Sequence, residues 1–257
     1  MPYRLLTLVN ITLYHQHALA RQSRYSKSSN FLPLSFKRIL RKTVVYLLLT
    51  FLTTSVGLCV LLRWVPAPTS AFMVYRHVED LMSDGSFKTI NYSWVGAKKI
   101  SPYATSAVIA SEDQRFFLHS GFDLRSIQSS IDVYMDGGKL RGASTISQQV
   151  AKNLFLTPSK SFVRKGLEAW FTLLIELLWS KERILVVYLN IAEFGDHLFG
   201  IEAASKHYFG VHANQINRSQ AALLAATLPN PIRLKAARPS KYLLNRQHWI
   251  LRQMQNQ

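Results

Sequence analysis

A mainly α-helical domain behind a single N-terminal membrane-spanning helix is the fold this sequence predicts. Three observations carry that expectation. Residues 43–62, TVVYLLLTFLTTSVGLCVLL, run for twenty positions without a charge, the length that crosses about 30 Å of hydrocarbon as a helix. From Ser101 onward, apolar residues return at helical spacing in one segment after another, and no run alternates as a strand would. The 257 residues are enough for one large core, or for one domain with appendages.

The elements follow in order. Residues 1–42 hold eight Lys or Arg and no Asp or Glu, and KRILRK at 37–42 packs four bases into six positions. The positive-inside rule assigns this basic tail to the cytoplasm and everything past about residue 63 to the other side. Up to Asn30 the composition is that of an unstructured segment. The apolar run is longer than a secretory leader and further from the start, so residues 43–63 are expected to stay as an uncleaved anchor. Pro66 and Pro68 stiffen the exit. Residues 64–100, with short mixed segments around Gly85 and Gly96, read as a stalk or small subdomain ahead of a main domain at 101–257.

Six helices are expected in that domain. TSAVIASEDQRFF keeps Val108, Ile109 and Phe116 near one side. TISQQVAKNLFL starts at a capping box, with Thr145 and Gln148 three apart. Along it Thr145, Gln149 and Lys152 fall within about 60° of one another, at 100° per residue. Ile146, Val150 and Leu154 take another side. SFVRKGLEAWFTLLIELLW follows, with Arg164 and Glu168 one turn apart and able to pair. Its Glu176, alone among apolar neighbours, calls for a hydrogen bond in the core. KERILVVYLNIAEF, then SQAALLAATLPNP with its stop at Pro229 and Pro231, then KYLLNRQHWILRQM complete the set.

Composition narrows the function. A net charge of +17 points to an anionic partner: nucleic acid, a phosphate-bearing ligand or a membrane surface. An exported domain meets no genomic DNA, which removes nucleic acid. The single cysteine, Cys59, lies inside the span, so neither a disulfide nor a Cys-based metal site can form within the chain. Two separated glutamates, Glu112 and Glu168, are the usual kit for chemistry at a sugar carbon. The cations Lys152, Arg164 and Lys165 suit a phosphate-bearing leaving group, which hydrolysis of a plain glycan does not involve. A lysozyme-like hydrolase leaves those cations unexplained, and a non-enzymatic scaffold leaves Glu112 unexplained.

SEDQRFFLHSGFD, GASTISQQVAKN, RKGLE and KERILVVYLNIAEFG, in this order and spacing, resemble the successive motifs of the peptidoglycan glycosyltransferases, glycosyltransferase family 51. The likeness covers roughly residues 65 to 257. It implies a lysozyme-like helical glycosyltransferase domain. The implied substrates are lipid II and a growing glycan strand carried on undecaprenyl pyrophosphate. The implied surroundings are the bacterial cytoplasmic membrane and other cell-wall synthesis proteins. By the same resemblance Glu112 is the general base and Glu168 assists. Lys152 and Arg164, with Lys165 beside them, would stabilise the leaving pyrophosphate. Asp113, Phe116, His119, Thr145, Gln149 and Asn153 match motif positions that shape the site, and Ile127 to Gly138 would belong to a mobile, membrane-facing part. No DxD occurs, so no metal is expected to be required, although a divalent ion such as Mg2+ is compatible with the scheme. Neither SxxK nor KTG occurs, so a monofunctional member is expected.

Overall fold

The structure is a computed structural model that describes residues 34–83, 85–138, 144–159 and 161–256. The chain divides into two compact units, Met1–Thr54 and Ser55–Gln257. The expectation of an unstructured tail lies outside the described residues as far as residue 33. From Leu34 the chain is helical: α1 spans Leu34–Leu62, so KRILRK is the first part of the helix rather than of the tail. Ser35–Leu62 is long and apolar enough to cross a membrane. In the first unit its side chains are exposed almost throughout, Leu47 and Ile39 among them.

The second unit takes in the last two turns of α1. Ser55, Cys59 and Leu62, spaced i, i+4, i+7, are buried there. Trp179 Nε1 donates to the Cys59 carbonyl at 2.7 Å, and Trp170 Nε1 to Ser55 Oγ at 3.2 Å. The Arg183 guanidinium closes the helix end, donating to the carbonyls of Leu62 at 2.6 Å and Val65 at 2.7 Å. These satisfy orphan carbonyls that a helix C-terminus otherwise leaves to water.

Residues 64–100 are not a stalk. They build part of the domain. α2 (Ala71–Ser83) buries Met73 and Asp80, and Arg76 clamps Glu193 with two hydrogen bonds of 3.0 and 2.9 Å. Strand β1 (Asn91–Tyr92) pairs in parallel with β3 (Leu198–Phe199), and β3 pairs antiparallel with β2 (Glu193–Gly195). The Asn190 side chain then exchanges hydrogen bonds with the Val95 backbone in both directions, 2.8 and 2.9 Å. Strands of two and three residues are too short to show an alternating pattern.

The remaining helices are α3 (Pro102–Glu112), α4 (Leu124–Met135), α5 (Ile146–Phe155), α6 (Phe162–Leu178), α7 (Lys181–Ile191), α8 (Ile201–Phe209), α9 (Arg218–Thr227) and α10 (Lys241–Gln253). Most begin at a side chain that accepts a backbone N–H. Ser101, Asp123, Ser161, Ser180 and Ser240 do so singly. Thr145 with Gln148 and Asn217 with Gln220 form full capping boxes. Each such cap stabilises its helix by about 0.5–2 kcal/mol and fixes where it starts. Three expectations need correction. The helix read over TSAVIASEDQRFF ends at Glu112, and α4 and α8 add to the six helices expected. KERILVVYLNIAEF likewise ends its helix at Ile191, and its last residues enter β2.

The core gathers Phe116, Ile146, Ile175, Ile184, Tyr188, Phe194 and Phe199, all essentially without exposure. α5 packs on α6 and α7, and α3 on α9 and α10. Gly121 shows how tight the joint is. Its φ is +87°, and a Cβ there would stand 2.7 Å from Thr172 Cγ2, so only glycine fits.

Candidate active site

Two helix ends meet at the site. α3 stops at Asp113 because that side chain is used elsewhere. Its Oδ2 accepts the Ile146 N–H at 3.0 Å, at the start of α5. Both its oxygens also face His119 Nε2, at 3.0 and 3.1 Å. Thr145, the cap of α5, donates its hydroxyl to the Gly121 carbonyl at 2.6 Å. Phe116 is fully buried, with Lys181 Nζ 4.4 Å from its ring centre. So Asp113, Phe116, His119 and Thr145 brace the junction from behind.

Glu112, the last residue of α3, is thereby aimed into open space. Its carboxylate is 13% exposed. Ser111 Oγ donates to Oε1 at 2.9 Å and Gln149 Nε2 to Oε2 at 3.0 Å. Tyr188 Oη donates to Gln149 Oε1 at 3.3 Å, which turns the amide N–H toward the glutamate. Burial first, then the charges of Glu112 and Asp113, push the Tyr188 phenol well above its ordinary range, which keeps it a donor. Arg246 on α10 donates to Ser111 Oγ at 3.0 Å and stands 3.5 Å from Glu112 Oε1.

Glu112 lines two cavities at once. One, of about 420 Å³, is walled by Asp113, Arg115, Ser126, Ser130 and Thr145 among others. The other, of about 870 Å³, is walled by Gln149, Tyr242, Asn245, Arg246 and Trp249. Gln149 is shared with a third, of about 190 Å³, that holds Lys152, Asn153, Tyr188 and Glu193.

Lys152 is the cation of that third cavity. Burial pushes its ammonium below the ordinary lysine value; Arg164 and Lys165 act in the same sense, while Glu168 and Glu112 oppose them. Beside it the Asn153 Oδ1 is buried and makes no hydrogen bond. Arg164 donates to Glu168 Oε2 at 2.6 Å, and Lys165 pairs with Oε1 of the same carboxylate. Glu168 is 3% exposed, so its charge is spent on its two cations. Arg164 Nε remains buried without a hydrogen bond. Glu176 accepts from Ser147 and from Lys181, the latter at 2.8 Å, which is the core hydrogen bond its position called for.

The sequence model of the family described as Transglycosylase matches residues 80–255. The chain belongs to the transglycosylase family. Curated relatives agree over most of their length. The biosynthetic peptidoglycan transglycosylase of Chromohalobacter salexigens is 53% identical over 211 residues, covering 82% of this chain and 90% of the relative. Its Pseudomonas entomophila counterpart is 52% identical, over 80% of this chain and 87% of the relative. The Pasteurella multocida counterpart is 51% identical, over 85% and 87%. Every site residue read from the sequence falls inside the matched transglycosylase region, as do three the reading missed: Ser111, Tyr188 and Arg246. Ser111 sits inside a quoted motif, and Tyr188 reads as one more apolar position of α7. Arg246 lies 135 residues from its partner Ser111, a distance no local spacing reveals.

Among the described residues no cluster of three His, Cys, Asp or Glu side chains stands ready to hold a metal ion.

Proposed function

We propose that this chain polymerises the glycan strands of peptidoglycan. The growing strand on undecaprenyl pyrophosphate is the donor, and lipid II is the acceptor. Glu112 takes the proton of the acceptor GlcNAc 4-hydroxyl. That oxygen attacks the anomeric carbon of the donor MurNAc from the face opposite the pyrophosphate, and an α linkage becomes β-1,4. The observation that carries this is the placing of Glu112. Its carboxylate is held by a hydroxyl and an amide, with Arg246 3.5 Å away, at the junction of two cavities, while a buried cation stands beyond Gln149.

A base should sit where its proton arrives, and a cation where negative charge develops. Lys152 and Arg164 are assigned to the departing pyrophosphate, Arg164 through the guanidinium N–H groups that Glu168 leaves free. Glu168 holds Arg164 and Lys165 in position. Asn153 offers a polar atom at the same cavity. The scheme asks for no metal, and a divalent ion such as Mg2+ would act on the substrate's own pyrophosphate. The decisive assay supplies the purified full-length protein with labelled lipid II. Glycan strands and free undecaprenyl pyrophosphate should appear together, and hydrolysed disaccharide without strands would sink the proposal.

In this proposal α1 crosses the cytoplasmic (inner) membrane as a single pass, N-terminus inside and catalytic domain periplasmic. Support comes from the basic residues ahead of the apolar run. Apolar side chains left exposed near the site, Phe117, Leu118, Leu124 and Met135, suit a domain that works on a lipid-borne substrate at the bilayer surface. Other cell-wall synthesis proteins are the expected partners there, and nucleic acid is not. A periplasm-specific reporter fused after Gln257 should be active, and activity of a cytoplasm-specific one instead would reverse the topology.

A further inference from the structure

The C-terminal helix carries a surface that neither packing nor proton transfer explains. α10 buries Leu243, Gln247 and Ile250. Between them Tyr242, Asn245, Arg246 and Trp249 repeat at i, i+3, i+4 and i+7, a second stripe along the helix. All four line the cavity of about 870 Å³ beside Glu112, and Trp249 also lines the neighbouring one of about 420 Å³. Tyr242 is 61% exposed and Trp249 36%. Arg246 Nε is buried without a hydrogen bond.

The exposed part of the Trp249 ring borders a cleft of carboxylate, amide and hydroxyl groups that leaves room for an apolar partner. A pyranose supplies one. It has a face of C–H groups and a rim of hydroxyls, so an aromatic ring takes the face while amide and guanidinium groups take the rim. We propose that the Tyr242–Asn245–Arg246–Trp249 stripe is a saccharide subsite that seats a sugar ring of the glycan against Trp249, next to Glu112. This rests on the polymerase reading above. Trp and Tyr also settle at bilayer interfaces, but here they share their cavities with Glu112, Ser111, Asn245 and Arg246, which a bilayer would leave unsolvated.

The test is titration calorimetry of the full chain in detergent with a lipid-free oligomer of alternating GlcNAc and MurNAc. Trp249→Ala should weaken binding about three- to tenfold, and Trp249→Phe, which keeps a flat ring, should stay within about twofold of wild type. In lipid II polymerisation, Trp249→Ala should raise KM more than it lowers kcat. Melting curves confirm that both variants fold. Wild-type affinity in a folded Trp249→Ala protein overturns the subsite. So does a wild-type chain that ignores the oligomer. So does a variant that loses binding to anionic phospholipid vesicles instead. A chain that binds the oligomer through Trp249 yet makes no polymer retains the subsite and removes the polymerase reading.

Discussion

The two glutamates of the site sit in opposite electrical situations. Glu168 is buried and gripped by two cations, Arg164 and Lys165. Glu112 is held by a hydroxyl and an amide, with its nearest cation, Arg246, at 3.5 Å. Two ion pairs occupy both oxygens of the Glu168 carboxylate and fix it in place. Glu112 is oriented chiefly by neutral donors, with one longer ion pair, and it borders two cavities. The same residue type, at the end of α3 and within α6, thus suits the two proposed roles, base and scaffold, by what donates to it.

Replacing the proposed base should break this contrast most severely. Glu112→Gln keeps the size and can still meet Gln149 and Ser111, yet cannot take the proton. The initial polymerisation rate should fall about 10²- to 10⁴-fold with the melting curve near that of wild type. A folded variant keeping more than about a tenth of the rate, far short of a lost general base, would shift the role to Glu168.

Next come the cations. Lys152→Ala and Arg164→Ala should each cost about 10²–10³ in rate, as loss of a charge-stabilising donor does elsewhere. Parallel loss of the thermal transition would make either residue structural. Glu168→Gln should be milder in rate, roughly tenfold for one lost charge-assisted hydrogen bond. It should show more in stability, since two cations lose their counter-charge. Each kcal/mol lost would lower the melting point by roughly 2–4 °C in a domain of this size. An unchanged melting point would mean that the clamp contributes little.

The smallest effect concerns pH. Lys152 has its pKa lowered by burial, so as pH rises it loses its charge before an ordinary lysine would. The rate should therefore decline early on the alkaline side, and Lys152→Arg should carry that limb to higher pH. Stability moves the other way. The unfolded chain holds this proton more tightly, so the group's contribution to folding becomes more favourable as pH climbs through the lowered pKa. A limb that stays in place in Lys152→Arg would assign it to another group.

Much of this was legible in the sequence, for local reasons. Caps and periodicity act within a few residues, so α5, α6 and α9 could be placed from Thr145, Ser161 and the prolines at 229 and 231. The site residues grouped as far as motifs reach. What escaped was non-local. Asp113 ends α3 through a bond to Ile146, 33 positions away, while the apolar pattern alone runs on through Phe116. Residues 71–100 looked like a stalk because their order comes from Glu193, Asn190 and β3. Arg246 looked like any exposed charge on an amphipathic helix.

The latch at the end of α1 has a practical consequence for how this protein can be cut. Trp179 and Arg183 donate hydrogen bonds to the carbonyls of Cys59, Leu62 and Val65. A leader peptidase acting near Ala67 or Ala71 would strip away those acceptors along with Cys59 and Leu62, and the Trp179 donor, if it stayed out of water, would cost about 1–3 kcal/mol. The same arithmetic governs a soluble fragment made for the bench. Trimming at the end of the apolar run removes a wall of the catalytic domain, whereas a start just before Ser55 keeps it. The boundary between the two compact units therefore lies inside the helix, two turns before its end.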